Sequence, residues 1–326
     1  MSKRNTNLDS GAIVRRSFVA PYRKSIKKRG KKQRTFRKMN CNPSIKGKPA
    51  VTDSCFPPET LVLLKSSYNK YHPRNKIQTT ALPQIWGELK QRLSHCTKED
   101  CWLNQIDDKN VRDRIDGLSF APDMPKEWKK NPSEWLSNYD IMDVLKQYEQ
   151  TYPNFHVIGP TPIDFDTKPK DMDGQCVWEE LCNFNLEKYF KSGKRKLGIV
   201  FNLDKHDRGG SHWVSMFIDL DDKYAFYMDS AGNEIPKEVD ALLKRIVQQG
   251  LAMHPPIHIH FYENCPLEHQ MGTTECGMYS LFFLITMLTG ETEGKVFKNY
   301  FEKVRFFKNR RIPDRHMKRY RKIYFN

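Results

Sequence analysis

The chain of 326 residues lacks any long hydrophobic run. No apolar stretch approaches the roughly 20 residues that a membrane-spanning helix needs, and the first residues, Met1 to Arg4, lead into no apolar signal core. Eight cysteines are few for this length, and without a secretory signal we expect free thiols rather than a disulfide framework. These absences predict a soluble, intracellular protein.

Two classes of site are poorly supported by the sequence. No Gly-x-Ser-x-Gly motif occurs, which disfavours a serine hydrolase. Cys96 and Cys101 lie close together beside His95, but no second clear ligand pair follows, and structural zinc needs about four ligands. We therefore predict that Cys96 and Cys101 are structural thiols.

A second metal hypothesis concerns four residues near one candidate strand. His258 and His260 alternate, so they lie on one face of a strand, which is a known ligand spacing. No acid or cysteine obviously completes this pair, although His254 and Glu263 are close in sequence. We expect no metal and no cofactor.

Basic residues are concentrated at the two ends of the chain. Residues 1–50 contain 16 Lys or Arg and one acid, a net charge of +15. Residues 303–322 contain 10 Lys or Arg and one acid, a net charge of +9, so the rest carries −8 of the total of +16. We expect residues 1–50 to be a disordered tail. It is either a solvated or nuclear-targeting run, or it binds nucleic acid or an acidic scaffold.

The remaining sequence divides at about residue 130. Residues 51–130 are punctuated by proline, and apolar residues follow helical spacing after Pro58 and Pro83. Residues 131–326 alternate between short apolar strands and amphipathic helices. The sequence therefore predicts an α/β domain over residues 131–326, preceded by a mainly helical region over residues 51–130.

Cys276 stands shortly before a dense apolar run, residues 281–285. This pattern predicts a cysteine in the first turn of a buried helix. A helix N-terminus carries unsatisfied N–H groups and a partial positive charge, so it stabilises a thiolate and makes it nucleophilic.

His212 and Asp229 are placed to face one another. They lie at the ends of two strand-like runs that are joined by a polar turn at 219–222. If the strands pair symmetrically about that turn, residue 212 lies opposite residue 229, with Cβ atoms about 5 Å apart. The carboxylate would then stabilise the imidazolium, which in turn stabilises a neighbouring thiolate. The order His, Asp, Cys indicates a thiol protease.

Gln270 lies six residues before Cys276. It is either a surface amide or the side-chain donor of an oxyanion hole, with the Cys276 backbone N–H as the second donor.

The segments around His212-Trp213, Asp229-Ser230, Gln270 and Glu275-Cys276-Gly277 resemble the Ulp-type, SUMO-specific cysteine proteases. The resemblance extends over residues 131–326 and is strongest to the viral polyprotein-processing branch, represented in African swine fever virus and, more distantly, adenovirus. It implies a papain-like α/β core with a central mixed sheet and a buried catalytic helix. It also implies peptide-bond hydrolysis, and a narrow channel that favours Gly-Gly before the cleaved bond.

Further expectations follow from the same resemblance. It implies that Trp213, Trp135 and Gly277 contact the substrate, and that the basic segment 312–325 is folded. It also implies maturation of viral structural polyproteins, in the virion and at the assembly site in the host cytoplasm. Residues 1–50 fall outside the resemblance, and their basic run is also compatible with the nucleus.

Two other functions compete with this interpretation. A deconjugating protease for a ubiquitin-like protein would use the same chemistry on another substrate. A basic nucleic-acid-binding virion protein with a degenerate protease fold would explain the tail, but the intact set of His212, Asp229, Gln270 and Cys276 argues against it.

Overall fold

A five-stranded mixed sheet forms the centre of the computed structural model, which describes residues 35–45, 49 and 51–326. Its strands lie side by side in chain order: β1 (Phe155–Pro162), β2 (Lys196–Asn202), β3 (Trp213–Asp219), β4 (Tyr224–Met228) and β5 (His260–Glu263). The two outer pairs are parallel and the two inner pairs antiparallel. Parallel neighbours need crossover connections, and helices occupy both of them. The predicted α/β fold with a central mixed sheet is confirmed.

Helices surround the sheet and also form the region that precedes it. In the described part of the chain the α-helices are α1 (Pro58–Tyr71), α2 (Leu82–Arg92), α3 (Lys109–Ser119), α4 (Asn138–Thr151), α5 (Glu179–Cys182), α6 (Leu186–Lys191), α7 (Lys237–Leu251), α8 (Cys276–Thr289), α9 (Tyr300–Asn309) and α10 (Asp314–Tyr324). Short 3-10 helices span Asp100–Gln105, Lys126–Lys129 and Lys170–Met172, and a small hairpin consists of β6 (Glu291–Thr292) and β7 (Lys295–Val296). None of the helices described here combines the length and the apolarity that crossing a membrane requires.

Helix α8 is buried along nearly its whole length. Its sequence is apolar on all sides, which is typical of a helix enclosed by other elements. It packs against β3, and α4, α9 and α10 contact it from other directions. On the opposite face of the sheet, α7 contributes an apolar stripe that includes Val239, Leu242 and Ile246. The start of α8 is thereby fixed against the sheet.

The region before the sheet has its own hydrophobic cluster, which contains the fully buried Trp102. This region begins earlier in the chain than the sequence predicted. The compact unit that ends at Asn326 starts at Phe36. Met39 is buried, and the backbone N–H of Asn40 donates to Oδ1 of Asn326 at 2.7 Å. The predicted boundary of the tail at residue 50 is therefore corrected to about residue 36. Residues 1–34, which make up most of the predicted tail, lie outside the described residues.

Six of the eight cysteines are paired in the structure. The disulfides join Cys41 to Cys55, Cys96 to Cys101 and Cys176 to Cys182, with Cα atoms 5.1, 5.6 and 6.2 Å apart. The expectation of free thiols is wrong for these residues, because the fold brings the partners within the distance that a disulfide spans. Cys265 and Cys276 remain as free thiols.

The basic segment near the C-terminus is folded, as the family resemblance implied. Residues Asp314–Tyr324 form α10, and Met317, Tyr320 and Tyr324 on one side of it are buried. These side chains extend the cluster that contains α8. The helix therefore covers the core with one face while it carries basic residues on the other.

Candidate active site

His212 and Asp229 form a hydrogen-bonded pair at one end of the β3–β4 hairpin. His212 precedes β3, Asp229 follows β4, and Nε2 of the histidine lies 2.6 Å from Oδ1 of the carboxylate. Asp229 is almost fully buried, and its carboxylate also accepts from the backbone N–H of Ala231 at 2.8 Å and from Nδ2 of Asn233 at 3.0 Å. These donors fix the orientation of the carboxylate toward the imidazole.

The register of the hairpin differs from the symmetric pairing predicted from the sequence. Ser215 pairs with Met228 and Asp219 with Tyr224, so the turn is two residues longer than assumed. His212 and Asp229 are consequently diagonal neighbours rather than direct partners. A shift of two residues keeps every side chain on its predicted face, because side chains alternate with a period of two. The pair therefore forms despite the error.

Cys276 is the first residue of α8, and its side chain is buried. It lies close enough to His212 to raise the pKa of the imidazole. Because Nε2 of His212 faces Asp229, Nδ1 is the ring nitrogen left for the thiol. The preceding residue, Glu275, gives no side-chain cap to the helix, so the dipole and free N–H groups of the first turn act on the sulfur. The structure thus brings Cys276, His212 and Asp229 into one line.

The electrostatics of this line favour a protonated histidine. Burial acts to lower the pKa of His212, but the hydrogen bonds to Asp229 and Cys276 and their negative charges outweigh it and raise the pKa to about 9. For Asp229, burial acts to raise the pKa, but the hydrogen bond and the charge of His212 outweigh it and lower the pKa. Both shifts stabilise an imidazolium–carboxylate pair.

Gln270 lies next to this line rather than on the surface. Its side chain is mostly buried, and the Ser230 hydroxyl donates to its Oε1 at 2.8 Å. Its Nε2 donates to the carbonyl oxygen of Gly272 at 2.7 Å, which fixes the orientation of the amide because a carbonyl can only accept. Within the described ranges, the second N–H of that nitrogen has no recorded acceptor.

The predicted substrate contacts lie on segments next to Cys276 and His212. Trp213 donates from Nε1 to the carbonyl oxygen of Leu136 at 3.0 Å. Gly277 fits tightly against both, since a Cβ there would lie 3.1 Å from Cβ of Leu136 and 3.2 Å from Cδ1 of Trp213. Trp135 and Trp213 also line an adjoining cleft of about 590 Å³. All three predicted contact residues are therefore near the site, and Leu136 joins them.

Several residues of the site are not evident from the sequence. Asn264 accepts from the backbone N–H of Asp229 at 2.9 Å and donates to its carbonyl oxygen at 2.7 Å, so it anchors the end of β4. Asp314 and Arg321 of α10 contact the segment between Gln270 and Cys276. These residues are distant in sequence from the motifs that they support, and no local pattern marks them.

The metal hypotheses have little support among the described residues. In that part of the chain, His95, Cys96 and Cys101 are the group whose ligand atoms lie within 4.8 Å of one another, and the two cysteines form a disulfide. A disulfide removes the thiolates that would bind a metal. His258 and His260 are exposed and belong to no such group within the described ranges.

The raised pKa of His212 predicts a pH dependence of folding. A histidine with a pKa of about 9 when folded and about 6.5 when unfolded stabilises the protein below pH 6.5, and this contribution is lost as the pH rises through 9. We expect it to amount to at most on the order of 3 kcal/mol. In denaturant titrations, the free energy of unfolding of His212→Gln should fall less between pH 6.5 and 9.5 than that of the wild type.

His156 supplies the matched control for this experiment. Hydrogen bonds to Glu149 and Glu180 raise its pKa to about 9 as well, so His156→Gln should flatten the same curve. Equal slopes for wild type and His212→Gln would contradict the ion pair at Asp229.

Comparison with known proteins gives a family match over part of the chain. Residues 195–326 match the Ulp1 protease family, C-terminal catalytic domain. A provisionally named thiol protease of Acanthamoeba polyphaga mimivirus is 27% identical over 269 residues, covering 76% of this chain and 84% of the relative. A cysteine protease of African swine fever virus is 28% identical over 205 residues, covering 60% of this chain and 74% of the relative.

The fold agrees with these matches. The crystal structure of the African swine fever virus protease superposes with a TM-score of 0.58 at 21% identity, covering 90% of this chain and 97% of the other. In some isolates the viral relative is named SUMO-1 cysteine protease. His212, Asp229, Gln270 and Cys276 all fall within the matched residues. The protein is therefore a cysteine protease in which residues 195–326 match the catalytic domain of the Ulp1 family, and it is similar to proteases of two viruses.

Proposed function

We propose that the protein is an endopeptidase that processes viral structural polyproteins, most readily after Gly-Gly, with Cys276 as the nucleophile. The observation that carries this proposal is the placement of Cys276, at the start of a buried helix, beside the hydrogen-bonded pair of His212 and Asp229. The viral relatives are proteases, which supports a viral role. The enzyme would act in the virion and in the host cytoplasm, where virus particles assemble.

Each member of the line is suited to one chemical role. The Cys276 thiolate attacks the peptide carbonyl, and the His212 imidazolium gives its proton to the leaving amine. The neutral imidazole then takes a proton from water, which attacks the acyl-enzyme and releases the thiolate. Asp229 keeps the imidazole oriented and compensates its charge without itself taking the proton.

Gln270 is suited to stabilise the oxyanion of this reaction. Its amide is buried and held by Ser230 and by the Gly272 carbonyl, so it is preorganised rather than mobile. A preorganised donor needs no rearrangement when negative charge develops on the carbonyl oxygen. The backbone N–H of Cys276 at the helix start is the second donor.

The tight packing around Gly277 supports a preference for small residues. Even a single added carbon at that position would lie 3.1 Å from Leu136 and 3.2 Å from Trp213, which is closer than ordinary carbon contacts. Gly277 thus lets Leu136 and Trp213 pack closely beside Cys276, and we infer that a substrate strand that passes these apolar side chains has little room for large side chains. Gly-Gly before the cleaved bond satisfies this constraint, since glycine has no Cβ.

A deconjugating protease for a ubiquitin-like protein is the second candidate. The viral relatives named SUMO-1 cysteine protease favour it, and the chemistry is the same. Cleavage of a purified viral polyprotein, set against cleavage of a SUMO conjugate, separates the two functions. A degenerate protease fold is disfavoured by the intact contacts from Cys276 to Asp229.

The first test of the proposal compares the two free cysteines. Cys276→Ala should lower peptide turnover by on the order of 10⁶-fold, because the nucleophile is lost. Cys265→Ala removes the other free, half-buried thiol and should leave turnover unchanged. The measurement is cleavage of a fluorogenic peptide that ends in Gly-Gly, with iodoacetamide labelling to identify the reactive thiol. Retained cleavage by Cys276→Ala would exclude this residue as the nucleophile.

The second test measures selectivity with a library of peptides. Replacing the glycines before the cleaved bond by larger residues should lower kcat/KM by roughly 10- to 200-fold per position, the range that small changes in apolar volume produce. Trp213→Ala should relax this selectivity, whereas Trp213→Phe should largely keep it. Efficient wild-type cleavage after large side chains would reject the narrow channel.

We further propose that the basic ends of the chain bind nucleic acid. Described residues from both ends line a cavity of about 450 Å³, called here the basic cavity, which includes Arg37, Lys38, Lys98, Lys318, Arg321 and Lys322. No carboxylate side chain is among the described residues that line it. Residues 37 and 38 follow the basic tail, whereas residues 318 and 322 belong to α10. Phosphate groups are the anions that such a surface would attract.

Salt dependence tests this binding. Lys318→Gln with Lys322→Gln should lower the slope of log affinity against log salt by about 0.9 for each lost contact on duplex DNA. Deleting residues 1–34, which leaves the compact unit Phe36–Asn326 in place, should lower this slope further and leave peptide cleavage intact. Lys244→Gln, on α7 and paired with Asp240, is the control that should change nothing. If the full-length protein shows no salt-dependent affinity for nucleic acid, the basic ends serve a protein partner or targeting instead.

A further inference from the structure

The segment 271–275 connects the two groups on which the reaction depends. It begins directly after Gln270 and ends directly before Cys276, and it contains no helix or strand. Met271 and Gly272 are exposed, so the start of the segment has little packing of its own. Apart from the hydrogen bond from Gln270 to the Gly272 carbonyl oxygen, the contacts that set its geometry come from α10.

Asp314, the first residue of α10, binds the start of the segment. Its Oδ2 accepts from the backbone N–H of Gly272 at 3.0 Å and of Met271 at 3.2 Å. Its Oδ1 accepts from the hydroxyl of Tyr279 at 2.8 Å. Tyr279 lies on α8, one turn after Cys276. One carboxylate thus ties the loop after Gln270 to the helix that begins with Cys276.

Arg321 binds the end of the segment. Its Nε donates to Oε2 of Glu275 at 2.9 Å, and a terminal nitrogen donates to the carbonyl oxygen of Thr274 at 3.1 Å. The other terminal nitrogen donates to the carbonyl oxygen of Glu134 at 2.7 Å, and the guanidinium lies over the ring of Trp128. Arg321 therefore joins the loop before Cys276 to the chain that leads into Trp135 and Leu136.

The buried pair of Arg321 and Glu275 is poorly explained by stability alone. Both side chains are at most 5% exposed, and Oε1 of Glu275 has no hydrogen-bond partner among the described residues. Moving two charges out of water costs desolvation free energy. A buried ion pair in which one carboxylate oxygen has no hydrogen bond offsets that free energy only in part. What the pair does supply is a fixed position for the residue before Cys276.

We propose that Asp314 and Arg321 are positioning residues, which hold segment 271–275 so that Gln270 and the Cys276 N–H converge on one oxyanion. The inference rests on the proposed roles of Cys276 and Gln270. Asp314 fixes the position of the loop only. Arg321 also fixes residues 134–136, which form one wall of the space beside Cys276. Loss of either contact displaces the donors from the site without removing a reacting group.

A series of variants at Arg321 tests this role. Arg321→Met should lower kcat by roughly 10²-fold, the effect of a misplacement of about 1 Å. It should also raise KM, because residues 134–136 lose their contact with Arg321. Arg321→Lys keeps the charge opposite Glu275 but cannot reach three oxygens at once. It should keep Tm near the wild-type value while kcat stays reduced. Glu275→Gln leaves the contacts to Thr274 and Glu134 in place and should affect kcat least.

The double variant Glu275→Gln/Arg321→Met separates positioning from stability. It removes the uncompensated buried charge that Arg321→Met leaves, so Tm should recover toward the wild-type value. The contacts to Thr274 and Glu134 stay lost, so kcat should remain low. Recovery of kcat together with Tm would overturn the proposal, because it would reduce Arg321 to charge compensation.

Asp314→Asn reaches the other end of the segment independently of Arg321. It should lower kcat with KM nearly unchanged, whereas the control Lys196→Met should lower Tm alone. Lys196 forms a largely buried pair with Asp219 at the far end of β2 and β3, away from Cys276. All rates are compared at a temperature where thermal melts show each variant to be folded.

Two outcomes would contradict the positioning role in different ways. Wild-type kcat in both Asp314→Asn and Arg321→Lys would overturn it while Cys276→Ala remains inactive, which leaves the proposed function standing. If Cys276→Ala still cleaves, the proposed function itself fails first, so the two failures are distinguishable.

Discussion

The ion pair between His212 and Asp229 is the interaction on which the site depends. A buried carboxylate is stable only when hydrogen bonds and an opposite charge replace the water it has lost. Asp229 receives these from Ala231, Asn233 and His212, and Asn264 fixes the backbone that carries it. The hairpin, the loop after β4 and the end of β5 are arranged around that requirement.

The second constraint is the burial of the cysteine at a helix end. Helix α8 is apolar on every side, so it must be enclosed, and its first residue is carried into the interior with it. Enclosure leaves the backbone N–H groups of the first turn beside the sulfur instead of beside water. The same packing that stabilises α8 thus supplies the electrostatic environment of Cys276.

The parts of the fold that follow from short-range patterns could be predicted from the sequence. Two strand-like runs joined by a polar turn predict the β3–β4 hairpin, and the apolar run after Cys276 predicts the start of α8. A register error of two residues preserved the face of His212 because the period of a strand is two. The family-based fold prediction is confirmed by the sheet and by the structure of the African swine fever virus protease.

The parts that depend on long-range contacts could not be predicted. The disulfides and the start of the folded unit at Phe36 require knowing which distant segments meet, as Asn40 and Asn326 do. Asn264 likewise carries no local signal, although it anchors Asp229 through two hydrogen bonds. Sequence patterns identified the candidate reacting groups, and only the structure shows what supports them.

Helix α10 presents charged side chains on two different faces. Spacings of three and four residues place Asp314, Met317 and Arg321 on one face, where the arginine is buried against Glu275. The same periodicity places Lys318 and Lys322 on a neighbouring face, where they line the basic cavity. From its net charge alone, this segment was seen only as a basic end of the chain. Its geometry divides the charge between contacts to the active-site loop and the basic cavity, which we propose as a surface for anions.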